Sequence, residues 1–387
     1  MILRRLKQDE HGLTRKLWEE VFTEDTKAFL DYYYFIKTKE NRIYVIEEDG
    51  EIRSMLQLNP YRIRIEAGEF PSDYIIAVST QKEYRSRGYM GKLLRTSLAE
   101  MYQEKVPFTF LMPAAAEIYT PYDFRYIYSQ RSSVIDLTGK NGDDNDTTSG
   151  EAAGSEFSER DAAIFDAEEM ARFFNQNFAD RWQVASARDE AYYRTMILEQ
   201  QSEHGGVRLL FSDKELIGMF AYAAEDGMEI REPLILPGRE RCFGQSVAGL
   251  AGGRYEKIKV FGYPDAGIGQ EKPLIMARIV HLPMLFAALR VSAAESLDCS
   301  FAVLDPILHQ NSRIWRLRSL PGEETVSVSE TEDSEGVIPV AELTEFLFGR
   351  RSADEIRENE DVIITERLQG ELEKIRRLDR VFLNEVV

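Results

Sequence analysis

YRSRGYMGKLL, Tyr84–Leu94, is the stretch on which the reading of this chain turns. Directly upstream stands DYIIAVST, Asp73–Thr80, an apolar run rich in strand-forming residues. Arg85 and Arg87 flank a serine, Gly88 follows, and apolar residues then recur at helical spacing, which predicts a helix from about Met90 to Tyr102. Strand, basic glycine turn and helix in that order make a cradle for an anion. A helix start leaves backbone N–H groups unpaired and carries partial positive charge. Glycine lets a phosphate approach that backbone, and the two guanidiniums add charge and donors. No Gly-Lys-Ser/Thr follows, so this is not a Walker A loop. Gly-x-Gly-x-x-Gly is missing too, so it is not a dinucleotide fingerprint.

Working outward, three strands are expected before the cradle, at 43–47, 51–64 and 70–80, the first two joined by an Asp49-Gly50 hairpin turn. Upstream of them, HGLTRKLWEEVF places Leu13, Leu17, Val21 and Phe22 on one helical face. TEDTKAFLDYYYFIK reads as a second helix with Thr23 as its N-cap. After the cradle helix come a short buried strand in PFTFLMP, a helix or turn in AAAEIYTPYDF, and a strand in YIYSQRSSVIDL.

Residues 139–161 are polar and rich in Gly, Ser, Thr and Asp, and read as a linker or exposed loop. Beyond them the first pattern returns. AEEMARFFNQNFADRW is an amphipathic helix, DEAYYRTMILEQ echoes LDYYYFIKTKE, and GVRLLFSDKELIGMFAYAAEDGMEI repeats the strand–turn–strand order. A second, diverged copy of the same unit is expected over 162–277. Where the first copy has its basic turn, this one has PGRERCFGQSVAGLAG, without the Arg-x-x-Gly pattern, so ligand binding is expected of the first copy alone. A third region opens at 278 with a helix near His281. Strands are expected in SFAVLDPILHQNSRIWRLRSL, with Asn311 in a turn, and in ETVSVSETEDS. VIPVAELTEFLFG reads as strand then helix, closed by Gly349. The end, RLDRVFLNEVV, is apolar on alternate positions and reads as a docked segment.

Composition narrows the function. At 387 residues and 43% hydrophobic, the chain holds two or three cored domains. Lys plus Arg is 48 against 67 Asp plus Glu, a net charge of −19, which repels nucleic acid and anionic membrane and attracts cations. The two cysteines, Cys242 and Cys299, give neither a disulfide framework nor a thiolate cluster. The four histidines, His11, His204, His281 and His309, lack metal-ligand spacing, so no metal is expected. The N-terminus has no signal-peptide pattern and no apolar run has the length of a membrane span, so a cytoplasmic location is expected.

Arg85-Ser86-Arg87-Gly88-Tyr89-Met90 resembles the acetyl-coenzyme A loop of the GNAT acetyltransferases, Arg/Gln-x-x-Gly-x-Gly/Ala. Met90 departs from the small last residue, and Gly91 comes one place late. Over its whole length the chain resembles the enhanced intracellular survival (Eis) family of that superfamily, through YRSRGYMGKLL, MLQLNPYRI, YTPYDFRYIY, MARIVHLPMLFAAL and FLNEVV. That resemblance implies an α/β (α+β) fold: two tandem GNAT-like domains with mixed central sheets (1–138 and 162–277), then a sterol-carrier-protein-like α+β domain (278–387). It also implies N-acetylation of amines, aminoglycosides among them, with acetyl-coenzyme A as cosubstrate, and a hexamer.

The resemblance carries over residue by residue. The backbone of Ala77, Val78 and Thr80 would lie beside the pantetheine arm, with the Val78 N–H polarising the thioester carbonyl. The pyrophosphate would rest on Arg85, Ser86, Arg87, Gly88, Tyr89, Met90 and Gly91. Tyr119, Tyr122, Tyr126 and Tyr128 crowd one segment and spacing does not choose among them; Tyr126 matches the family's general acid, a phenol protonated at neutral pH. The resemblance makes the C-terminal carboxylate, here on Val387, the general base, carried in by the apolar Phe382 and Val386. Glu385, Glu24 and Asp25 are candidates to hold a cationic amine. No cysteine lies near the motif, so direct attack in a ternary complex is the expected mechanism. Two other readings stay open: a non-catalytic acyl-coenzyme A or lipid carrier or sensor, and a protein lysine acetyltransferase.

Overall fold

The computed structural model of the protein describes residues 1–138, 157–224, 227–262 and 269–385. Its first strands are β1 (Ile2–Arg5), β2 (Arg42–Glu48), β3 (Glu51–Ile65) and β4 (Gly68–Thr80), a meander of antiparallel neighbours. Asp49 and Gly50, both at positive φ, make the β2–β3 turn tight, as the Asp-Gly pair predicts. One face of this sheet carries α1 (Arg15–Val21) and α2 (Lys27–Phe35), packed through Leu17, Trp18, Phe29 and Tyr33. The other face carries α3 (Tyr89–Gln103), packed through Leu93, Leu94, Leu98 and Met101. Two local expectations are corrected. Leu13 lies in a 3₁₀ turn ahead of α1 and is exposed. The cap of α2 is Thr26, whose hydroxyl accepts from the Phe29 amide at 3.2 Å, and not Thr23.

Beyond β4 follow β5 (Phe108–Leu111) and β6 (Arg125–Asp136), separated by the short helix α4 (Ala116–Tyr119). β5 and β6 do not pair with each other. The strand between them is Gln270–Ile279, which arrives from more than 130 residues away and pairs antiparallel with both. The boundary expected at 277/278 therefore falls inside a strand of the first domain's sheet.

The second copy repeats the order. Phe157–Asp161, read above as the end of the linker, is strand β7 and pairs with Gly206–Ser212; residues 139–156 lie outside the described part. Helices α5 (Ala167–Asn177) and α6 (Glu190–Ser202), the short strand β8 (Val184–Ser186), then β9 (Gly206–Ser212), β10 (Glu215–Ala223), β11 (Glu229–Ile235), α7 (Glu240–Ala251) and β12 (Lys257–Phe261) complete it. β12 pairs antiparallel with β6, so the two copies share one continuous sheet.

With Gln270–Ile279 as β13, the third region begins at α8 (Leu282–Ala288), followed by a five-stranded sheet in which Leu297–Leu304 is central. Its core, with Phe286, Phe301, Trp315 and Phe346, is continuous with residues of β3, β5 and β13. The end of the chain docks as expected: Val381–Phe382 pairs parallel with β8, which itself pairs with the far end of β3. Among the described residues no helix is long and apolar enough to cross a membrane.

Candidate active site

The site starts from a fault in the β3–β4 ladder. Met55 faces Ser79 and Gln57 faces Ile76, so Leu56 alone opposes both Ala77 and Val78. This is a β-bulge, and Ala77 takes the left-handed conformation it requires, φ 52°. A bulge removes its residues from one-to-one hydrogen bonding and turns a backbone amide away from the ladder. On its other edge β4 pairs with β5 only at Tyr74–Phe110. Past that point the two parallel strands part, and the edge of β4 carrying Ala77, Val78 and Thr80 is left for an extended ligand. The Thr80 hydroxyl is held by Ser54 at 2.8 Å.

The cleft leads to the start of α3. Gly88 caps that helix at φ 76°, and no side chain caps its amides. A Cβ on Gly88 would meet nothing within 4 Å, so the approach to those amides is open. Ser86 also sits at positive φ, 61°. Arg85, Ser86, Arg87 and Gly88 are all exposed. Arg85 Nε donates to the Thr80 carbonyl at 3.2 Å, and Arg87 lies over the Tyr84 ring at 4.5 Å, so both guanidiniums stay beside the cleft mouth. The Tyr89 side chain turns inward and donates to Glu48, which leaves its backbone for the cleft. Met90 packs in one apolar cluster with Val78 and Tyr126. Gly91 has a different duty from a loop glycine. A Cβ there would come within 2.5 Å of the Tyr122 hydroxyl, so its missing side chain seats Tyr122 on the first turn of α3. An open strand edge, a bulge and an uncapped helix start flanked by guanidiniums fit a pantetheine arm and its pyrophosphate.

The four tyrosines now separate. Tyr119 is buried, and burial pushes its phenol up to about 12. Tyr128 faces the second domain, edge-on to Phe382, and is raised further by burial. Tyr122 lies on α3. Tyr126, half-buried on β6 opposite Met276, borders the same large apolar cluster as Val78.

On the α1/α2 side of the sheet lies a cavity of about 760 Å³, walled by the first domain, by α6 of the second and by the chain's tail. Six carboxylates line it: Glu40, Asp189, Glu199, Glu229, Glu232 and Glu385. Lys37, Lys39, Arg62 and Arg231 also line it, and Arg231 is already paired with Glu203 and Glu229. Three buried acceptor oxygens of lining residues lack a partner: Asn41 Oδ1, Gln200 Oε1 and Glu385 Oε2. Burial pushes the Glu199 carboxyl up to about 7, against the pull of Lys37, while the Tyr32 hydroxyl donates to it at 3.3 Å. Of the carboxylates expected at the amine, Glu385 is in this cavity. Glu24 and Asp25 are not among its lining residues, and Asp25 accepts the Trp18 indole N–H at 2.6 Å. Val387, expected as the base, and Val386 lie outside the described residues. Sequence reasoning missed Glu199 and Glu232. For Glu199 the signal was the echo of α2 in α6, which lines the cavity through Ala191, Tyr192, Thr195, Met196 and Glu199; Glu232 on β11 left no such trace.

The second copy repeats the bulge. Met219 faces Leu234 and Ala221 faces Arg231, so Phe220 alone opposes Glu232 and Pro233. Glu232 has φ 53°, matching Ala77. Pro233 therefore stands where the first copy has Val78, and it has no N–H to give an oxyanion. The cleft is also narrower: β11 and β12 stay paired from Glu229–Lys259 through Arg231–Phe261. At the start of α7, Glu240 turns its own carboxylate onto the Gly238 amide at 3.1 Å. The parted strand edge, the bulge N–H and the uncapped helix start of the first copy are each absent from the described residues of the second.

Residues 3–127 match the family described as an acetyltransferase (GNAT) domain, and residues 282–386 match the sterol carrier protein domain. The first domain is thus a GNAT acetyltransferase domain, and the chain is an acyltransferase of that class. No curated protein matches the chain by sequence. Several solved structures share its whole fold. A probable N-acyltransferase from Enterococcus faecalis V583 superposes with TM-score 0.83 at 16% identity, over 100% of this chain and 99% of its own. A GCN5-related N-acetyltransferase from Anabaena variabilis gives TM-score 0.79 at 14% identity, with 100% of both chains covered. Eis1 from Mycobacterium abscessus gives 0.72 at 13%, again over 100% of both. The chain thus shares its fold with these proteins from end to end.

Proposed function

We propose that the protein transfers an acetyl group from acetyl-coenzyme A to an amine of a cationic small molecule, aminoglycoside- or polyamine-like, by direct attack in a ternary complex. The observation that carries this reading is the cavity, lined by six carboxylates against four lysine and arginine side chains. A polyamine supplies many N–H donors and positive charge at once. The thioester supplies an activated acyl group. The amine nitrogen attacks its carbonyl carbon, the oxyanion is held by the bulge amide of Val78, and the C–S bond breaks. Tyr126 gives its proton to the departing thiolate, and the proton shed by the amine passes to a carboxylate at the tail, on Val387 or through water. The proposal includes a cytoplasmic setting and a hexamer, the latter read by light scattering. The interior of the third domain is filled by Phe286, Phe301, Trp315 and Phe346, which favours a scaffold over a lipid carrier.

The test is thiol release from acetyl-coenzyme A in the presence of tobramycin, neomycin, spermine and a lysine peptide. Turnover on a small cationic amine is expected, falling about 100-fold in Tyr126→Phe with little change in KM. Coenzyme A binding without turnover on any amine refutes the reading, and turnover on the peptide alone replaces it with a protein acetyltransferase.

A further inference from the structure

The second domain has lost the parts of an acyl-transfer site but has kept the bulge that organises one. Strained backbone is retained where something depends on it. Here the residue at positive φ is Glu232, buried, and its carboxylate takes two hydrogen bonds from the guanidinium of Arg188, the second at 3.0 Å. Arg188 is itself fully buried. Its guanidinium lies 4.6 Å from the Phe382 ring and 4.9 Å from the Tyr192 ring, and 3.9 Å from a carboxylate oxygen of Glu385. The tail meets the same pair from its own side. Asn384 donates to Glu232 at 3.3 Å and accepts from Gln130. Phe382 stacks on Trp182 at 4.2 Å, with 14° between the planes. Tyr192 donates to Glu385 Oε1 at 3.4 Å, leaving Oε2 without a partner in the cavity wall.

We propose that the bulge of the second domain is a socket for the chain's tail, with Glu232 and Arg188 as positioning residues that hold Glu385 in the wall of the acceptor cavity. This rests on the reading of that cavity as the amine site. The charges support it. Arg188 is one cation facing two acidic side chains, Glu232 and Glu385, both of residues that line the cavity. The first copy needs an amide at its bulge. The second needs a carboxylate there, and the same backbone kink supplies the direction.

Glu232→Ala is the direct test, because Ala77 already occupies the matching conformation in the first copy. Two readouts separate the socket from the amine reading. The first is trimming of the full-length chain by carboxypeptidase, which needs no turnover. Removal of residues through Phe382 should be at least about tenfold faster in Glu232→Ala than in the unmodified protein, as expected when local opening replaces a docked end. The second is kinetic: kcat/KM for the amine should fall about 10- to 100-fold through misplacement of the tail, while KM for acetyl-coenzyme A stays. Asn384→Ala, which alters only the tail, should shift both readouts in the same direction and covers the case in which Glu232→Ala does not fold. Trimming as slow as in the unmodified protein in the folded variants overturns the socket, whatever the amine panel shows. A fall in acetyl-coenzyme A affinity in place of amine efficiency overturns it as well.

Discussion

Glu199 shows how much a single burial can change. It is 9% exposed, on α6, with Tyr32 and Lys37 facing it from the first domain and Glu203 and Arg231 from the second. Desolvation outweighs Lys37 and Arg231 and lifts its carboxyl from 4.5 to about 7. A folded-state pKa above the unfolded one means that the folded protein holds the proton more tightly. The stability this contributes is complete below about 4.5 and is lost as pH rises through about 7. Glu199→Gln removes that dependence. Urea unfolding from pH 4.5 to 8 should show the variant gaining on the parent by roughly 3 kcal/mol across the window. A constant difference between the two would mean that Lys37 fully compensates the charge. None of this was legible from the sequence, where Glu199 is one of 67 acidic residues; its distinction comes from what lies across the cavity.

At the scale of elements, the strand, basic turn and helix around Tyr84–Leu94 were legible because each is written locally, in apolar runs, Gly and helical spacing. The strands at 42–48, 51–65 and 68–80 fall within a few residues of their expected ends. The cap of α2 was misplaced because Thr23 and Thr26 are equally good caps by type and only the turn ahead of α2 decides between them. Gly91 looked like a displaced loop glycine, and its partner Tyr122 is 31 residues away in sequence. The two bulges carry the sharpest prediction at this scale. If the Val78 amide serves the oxyanion, Val78→Pro copies Pro233 into the active copy. Turnover should fall about 100- to 1,000-fold, as for loss of one oxyanion donor. Coenzyme A affinity, followed by calorimetry, should hold within a few-fold, with circular dichroism unchanged. Retained turnover would assign the oxyanion to another donor.

For the whole molecule, the repeat was legible from two echoed segments, but the way the copies join was not. Pairing partners that lie far apart in sequence leave no local trace. Phe157–Asp161 looked like linker for that reason, and β13 was divided at 277/278 between the second copy and the third region. The third domain reaches the active site through buried charge. Arg278, on β13, is fully buried and donates to the Tyr122 carbonyl at 2.9 Å and to Asp305 at 2.5 Å. Asp305 in turn accepts from the amides of Ile307 and Leu308 and from Asn311. Removing one member of such a pair leaves the other charged and unmatched. Asp305→Ala should cost about 3–5 kcal/mol in denaturant unfolding, far more than a surface ion pair. A loss under about 1 kcal/mol would show that the first domain does not depend on this contact.

The interleaving of β13 also sets an order of events during synthesis. When the ribosome has made the cradle, the tyrosines and the whole first half of the chain, β5 and β6 still lack the strand that separates them. Their facing edges stay unpaired until residue 279 has emerged, and exposed strand edges invite pairing with other chains. The catalytic half is therefore finished by sequence that follows the second copy. A gene fragment ending at the apparent domain boundary would encode every residue of the coenzyme A cleft and still yield a sheet with a missing plank.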